Sequence, residues 1–230
     1  MADIALFPSV LGVRAGVLDA QDRLSRAGHE VTVIDQYDGR SFDDYEEAGA
    51  FAESLGYAGL MAGAFAAVER LPDGFIAVGF SNGGGMAEHV ALHRDVAGVA
   101  LLAGVLPLDM LGDRPWPAGV PVQIHYTRDD PFRREDWLES LTGSVRASGA
   151  SVELYDYAGA GHLFTDPSLP AEYDAAAAEQ LWRRVLAFCA ACDETRRSAS
   201  DRLELGVRPL QHRAQYVTGG GEIAHGQVAP

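Results

Sequence analysis

A chain of 230 residues with 47% hydrophobic and 22% charged side chains has the composition of an ordinary soluble globular protein and the length of one α/β domain. Its 33 acidic against 18 basic side chains leave a formal net charge of -15, which repels a phosphate backbone and an anionic membrane surface alike and argues against nucleic-acid and membrane partners. The opening MADIALFPSV puts Asp3 where a secretory leader carries positive charge, and its apolar stretch is too short for a leader core or a span, so a cytoplasmic protein is expected.

Along the chain, short apolar runs alternate with longer helical patterns, the signature of βαβ units on a parallel sheet. IALF near 4–7 reads as the first strand. VLDAQDRLSRAG at 17–28 then places Val17, Leu18, Gln21, Leu24 and Ala27 near one helical stripe and ends at Gly28, a natural left-handed cap. EVTVID at 30–35 is the second strand, and the long connection 38–73, alanine-rich from Glu46, holds one helix or a broken pair. Further strands are expected at 74–80, 96–104, 120–127 and 151–157, with helices at 83–93, 134–148 and 171–192. Most strands are apolar on both alternations, as when helices cover both faces of the sheet. The prediction is a three-layer α/β fold of about six mostly parallel strands.

Cys189 and Cys192 are three apart in a helical pattern, where neither disulfide geometry nor a four-ligand zinc site is easily met, so they read as small core residues. After Cys192 the apolar periodicity fades. Residues 1–192 are therefore read as the domain and 193–230 as a flexible or extended tail, the candidate for any homo-oligomeric contact.

Residues 76–87, IAVGFSNGGGMA, carry the chemistry. In GFSNG at 79–83 glycines flank Ser81 two residues before and two after, which suits a sharp strand-to-helix turn that lifts a hydroxyl clear of the sheet. The helix behind it aims backbone N–H groups and the positive end of its dipole at the same point. A glycine-rich helix cap is the plain alternative. A dinucleotide loop is a third, but GxGxxG spacing is lacking, the turn follows the third strand, and no acid ends the next one at Leu101–Leu102. A serine hydroxyl needs a base and a group to orient that base. Asp129 and Asp130 end the fifth strand in VQIHYTRDDPF, and His162 follows the sixth in YAGAGHLF. Serine, acid, histidine is the chain order of the α/β-hydrolase triad.

From about Ile4 to Phe188 the chain resembles the dienelactone hydrolase family of α/β-hydrolases, through FPSVLGVR (7–14), EVTVIDQY (30–37), GFSNGGGMA (79–87), DDPF (129–132) and YAGAGHLFTD (157–166). The resemblance implies an α/β-hydrolase fold with Ser81 as nucleophile, His162 as base and Asp130, directly before the proline, as acid, Asp129 being the fallback. It implies an oxyanion hole from the backbone N–H groups of Asn82 and Val10, and no metal or organic cofactor. The family's namesake enzymes have a cysteine where Ser81 stands, a glutamate at the position of Ser9, and a carboxylate-binding arginine at that of Asp166. The exchange of that cation for an anion points to an uncharged small ester or lactone as substrate. Leu11, Trp116, Phe132 and Phe164 are candidates for the pocket wall. An acyltransferase or thioesterase with the same triad, and a non-catalytic binding or scaffold module, are the alternative readings.

Overall fold

Every apolar run expected as a strand is one in the computed structural model, which describes residues 1–112 and 114–204. The order is β1 (Asp3–Phe7), α1 (Ala15–Arg26), β2 (Glu30–Val33), α2 (Tyr45–Leu55), α3 (Tyr57–Ala67), β3 (Phe75–Phe80), α4 (Asn82–Ala91), β4 (Val96–Leu102), β5 (Val122–Thr127), α5 (Glu135–Ala147), β6 (Val152–Tyr157) and α6 (Ala175–Glu204). The six strands of the described residues are all parallel, in the order β2-β1-β3-β4-β5-β6.

The core follows from side chains alternating across the strands. Ile4, Leu6, Ile76, Val78, Ala100 and Leu102 face one layer, where Leu24 of α1 and Leu181 and Val185 of α6 pack on them. Their neighbours Ala5, Phe7, Phe75, Ala77, Val99 and Leu101 face the other, against Met61 of α3, Met86 and Val90 of α4 and Leu141 of α5. β3, at the centre, is buried along its whole length, which is why its sequence lacks a polar alternation. The edge strands β2 and β6 are partly exposed and carry the polar residues.

Two expectations are sharpened. The 38–73 connection is a broken pair, split at Gly56, whose φ of 76° strains any residue with a side chain. Asp44 starts α2 by accepting the Glu47 N–H at 2.9 Å. One expectation is corrected: the last helix does not stop at Cys192 but runs to Glu204, so the first residues assigned to a tail are helical. Asp193 sustains it by pairing with Arg196 at 3.7 Å and Arg197 at 3.0 Å, one turn on, and by binding the chain's amino group. The remainder of the expected tail, 205–230, and with it the oligomer contact, lies outside the described residues. Among the described residues no helix is long and apolar enough to cross a membrane.

Glu88 of α4 is fully buried, and among the described residues it has no cation beside it. Among those residues its carboxylate accepts only the Leu106 N–H, at 3.0 and 3.2 Å, and it lies near Tyr57 and Tyr126. Burial pushes its pKa well above the ordinary carboxylate range, the Leu106 bond opposing only in part. The folded state therefore keeps a proton that the unfolded chain releases, so this residue lowers stability as pH rises through the unfolded value and up to the folded one. Glu88→Gln keeps the acceptor and removes that loss. Its melting temperature should exceed the wild type's at about pH 8, by roughly 2–4 °C per ~1 kcal/mol recovered, and converge with it near about pH 4. Equal differences at both pH values would contradict this account.

Candidate active site

The strand order reverses between β1 and β3, since α1 carries the chain from β1 to β2 on one side while α4 carries it from β3 to β4 on the other. The crevice beyond the carboxyl ends of such a pair is where open α/β sheets bind ligands. The loop after β1, with Val10, and the turn after β3, with Ser81, meet there.

Ser81 sits at φ 51° and ψ -121°, a region a residue with a side chain adopts only when its surroundings force it. The forcing is close backbone contact. A Cβ at Gly79 would fall on the Gly83 carbonyl, one at Gly83 on the carbonyl oxygens of Phe7 and Pro8, one at Gly84 on the Gly104 carbonyl, and one at Gly104 on that of Ser81. The Ser81 N–H donates to Leu102 O at 2.8 Å, and Ser81 O accepts from Gly84 at 2.8 Å. The turn thus brings the carboxyl ends of β1, β3 and β4 together, with the N-terminus of α4 beneath Ser81.

The two partners arrive from the next strands. Ser81 Oγ lies 2.7 Å from His162 Nε2, and His162 Nδ1 lies 2.8 and 3.0 Å from the two Asp130 oxygens. With Nδ1–H donating to Asp130, Nε2 is left to accept from the serine. Asp130 and His162 are buried, and Asp130 Oδ1 also accepts the Phe132 N–H at 2.8 Å. Asp129 is exposed, its N–H spent on Gly159 O at 3.1 Å, so the fallback acid is not the one at the histidine. Both peptides flanking His162 are tied down. Thr127 Oγ1 donates to Gly161 O at 2.9 Å, and Glu172 accepts the Leu163 N–H at 2.6 Å. Glu172 also accepts the Tyr45 hydroxyl at 3.0 Å. Burial, reinforced by that carboxylate, holds the Tyr45 pKa far above the ordinary phenol range, so the hydroxyl stays a donor.

Ser81 and His162 open onto a cavity of about 470 Å³, which Val10 and Asn82 also border. Of the four residues expected in its wall only Phe132 is there, its ring 4.6 Å from that of His162. Leu11 is buried in the layer under α1 and α6; Phe164 lies in the same layer against Tyr157 at 5.1 Å. Trp116 is buried on the opposite face and donates Nε1–H to Val120 O at 2.9 Å. The wall instead comes from Tyr45, Tyr57 and Met61 of α2 and α3, and from Leu106, Met110 and Trp137. No charged side chain lines it among the described residues.

Of the three positions that depart from the namesake enzymes, Ser9 and Asp166 are structural. Ser9 is buried, with Oγ accepting the Leu11 N–H at 3.2 Å. Asp166 does not face the cavity. Its Oδ1 accepts the Gly16 N–H at 3.0 Å, at the start of α1, and both the N–H and the hydroxyl of Ser168, while Oδ2 lies 3.5 Å from Arg14. Its carboxylate therefore complements the α1 N-terminus, and the expected effect of that anion on the substrate has no basis in the cavity.

The model of the dienelactone hydrolase family matches residues 2–192. Similar solved structures include a dienelactone hydrolase-like promiscuous phosphotriesterase from metagenomic libraries, 21% identical over 84% of this chain and 86% of that one, with a TM-score of 0.69. The protein named m3DLH is 24% identical over 84% and 86%, at 0.71, and an esterase of Pyrobaculum calidifontis 13% identical over 83% and 76%, at 0.60. At these identities the likeness shows the fold, which is that of the α/β-hydrolases. Among curated proteins none matches the sequence.

The contacts at the Ser81 turn make a paired prediction. Gly104→Ala should lower stability by about 1–3 kcal/mol or more, since the Ser81 backbone cannot yield as a side chain would. Gly143→Ala, in α5 with open space around it, should raise stability by roughly 0.5–1 kcal/mol. Urea unfolding of both variants beside the wild type reads the two signs.

Proposed function

Because the chain belongs to the dienelactone hydrolase family, we propose that it is a serine hydrolase of the cytoplasm that cleaves a small, uncharged ester or lactone through an acyl-enzyme. The observation that carries this reading is the unbroken hydrogen-bonded line Ser81, His162, Asp130, opening on a cavity that no charged side chain lines among the described residues.

In this mechanism Ser81 Oγ attacks the carbonyl carbon as its proton passes to His162 Nε2, and the carbonyl π electrons move onto oxygen. Asp130 fixes the imidazole tautomer and stabilises the imidazolium. The oxyanion takes hydrogen bonds from the N–H groups of Val10 and Asn82, with the α4 N-terminus adding its positive end. Collapse breaks the bond to the leaving alkoxide, which takes the proton from His162. Water then repeats the sequence: His162 removes its proton, hydroxide adds to the acyl carbon, and the acid leaves as Ser81 recovers its proton.

The cavity supports a neutral substrate, because an ionised group buried among Tyr57, Met61, Leu106 and Trp137 would lose its hydration with no counter-charge in return. Intact-mass analysis after a fluorophosphonate probe should show one adduct, on Ser81, absent from Ser81→Ala and His162→Ala. Asp130→Asn should lower kcat for p-nitrophenyl butyrate by about 1,000-fold or more while the protein stays folded. A folded wild type that no probe labels would overturn the reading.

Charge selection is tested with the matched p-nitrophenyl ester whose acyl chain ends in a carboxylate. Its kcat/KM should be at least about ten-fold below that of the neutral ester. Equal values would remove the case for an uncharged substrate.

A further inference from the structure

The segment after β2, Gln36 and Tyr37, belongs to a motif of the sequence to which the mechanism above assigns no task. It stands directly behind both residues whose N–H groups face the developing oxyanion. Gln36 Nε2 donates to Ser9 O at 2.9 Å, and the Gly12 N–H donates to the same oxygen at 3.0 Å. Ser9 O belongs to the peptide unit whose other end is the Val10 N–H. A peptide unit is planar, and in its trans form C=O and N–H point in opposite directions, so two donors that fix the oxygen fix the N–H as well. Val10 borders the cavity beside Ser81, and among the described residues its N–H donates to no acceptor.

Tyr37 extends the arrangement to the second donor. Its buried hydroxyl faces the amide side chains of both Gln36 and Asn82. Among the described residues, that hydroxyl, Gln36 Oε1 and Asn82 Oδ1 are buried polar atoms without a hydrogen bond of ordinary length, an uncommon concentration that costs stability and calls for an explanation. The turn is shaped to present the pair: Asp35 Oδ1 accepts the Tyr37 N–H at 3.0 Å, and Oδ2 accepts that of Gly39 at 2.5 Å.

We infer that Gln36 is a positioning residue for the oxyanion site, holding the Ser9–Val10 peptide so that the Val10 N–H points at the reacting carbonyl oxygen, with Tyr37 bracing Gln36 against Asn82. The inference rests on Ser81 being the nucleophile of an ester hydrolase. Gln36 touches neither substrate nor Ser81, so its removal acts on the transition state and spares the binding of the substrate's apolar part.

Two variants test this. Gln36→Leu removes the donor, and Gln36→Glu, nearly the same size, places an acceptor against the Ser9 carbonyl. Each is compared with the wild type for kcat and KM on p-nitrophenyl butyrate, and for inhibition by an alkyl trifluoromethyl ketone, which adds to an active serine to give an oxyanion. The methyl ketone of the same chain length, which only fills the cavity, is the control. Deletion of an oxyanion donor outright lowers kcat about 100- to 1,000-fold; misaiming one should lower it about ten-fold. The expected result is that kcat and trifluoromethyl ketone affinity fall by the same factor in both variants, more in Gln36→Glu, with KM and methyl ketone affinity within about two-fold of wild type. Unchanged kcat and trifluoromethyl ketone affinity in a folded variant would overturn the positioning role, as would parallel weakening of both ketones, the mark of a loosened cavity. A wild type that neither hydrolyses the ester nor binds the trifluoromethyl ketone would instead overturn the hydrolase reading, and the positioning role with it.

Discussion

The architecture depends on backbone packed against backbone at the Ser81 turn. Four glycines stand where a single methyl group would collide with a neighbouring carbonyl: Gly79 with Gly83, Gly83 with Phe7 and Pro8, Gly84 with Gly104, and Gly104 with Ser81 itself. None of those neighbours is a side-chain end that could swing aside. The turn therefore welds the carboxyl ends of β1, β3 and β4 into one rigid piece, and Ser81 keeps its φ of 51° because no relaxed conformation fits the same space. Strain of this kind costs on the order of 1–3 kcal/mol and persists only where its surroundings over-determine it. The Val10 loop, the α4 N-terminus and the Ala103–Leu106 wall take their places from that weld.

Rigidity on the serine side would be wasted if the histidine loop were loose. That loop follows β6, an edge strand, and unlike the Ser81 turn it does not lead straight into a helix, since α6 begins only at Ala175. Side-chain bonds hold it instead: Thr127 reaches from β5 to Gly161 O, and Glu172 reaches back to the Leu163 N–H. Glu172 also binds the Tyr45 hydroxyl, and Tyr45 packs 6.0 Å from His162 and 5.5 Å from Phe132, centroid to centroid. One carboxylate thus couples the His162 loop to α2, a helix of the cavity wall.

What the sequence made legible was what depends on local pattern. Six strands could be read because the sheet is parallel and mostly buried on both faces, so the apolar runs are continuous. The Ser81, Asp130 and His162 cluster could be read because each stands at a strand end, with glycines or a proline marking the turn. Positions fixed by the facing of one element against another were not legible. Leu11, Trp116 and Phe164 are apolar residues near the right loops, yet each turns into a core layer. The wall from α3 is not legible because YAGLMAGAFAA is apolar nearly all round, leaving no stripe to say which side meets the cavity. Residues 193–204 lack a legible helical pattern because their helix is carried by charge pairs around Asp193, which an apolar periodicity does not register. The motif position of Asp166 points to the site, whereas its hydrogen bonds send its carboxylate to α1.

That displacement of Asp166 bears on what the cavity admits. With the anion committed to the α1 N-terminus and to Arg14, selection falls to the groups that do face the space. Three of these are tyrosines, 45, 57 and 126, and each is held in its neutral form. Burial, with Glu88 nearby, pushes Tyr57 up to about 12, and burial takes Tyr45 and Tyr126 still further above the ordinary phenol range. Glu88, behind the Leu106 wall, is itself driven toward its protonated form by burial. An ionised Glu88 would set a negative charge close beneath the substrate, where low polarisability leaves it unscreened. The same burial that costs the fold stability at high pH therefore keeps the cavity electrically quiet. In the proposed mechanism an entering ester would meet one developing charge, the oxyanion it forms itself, opposite the N–H groups of Val10 and Asn82.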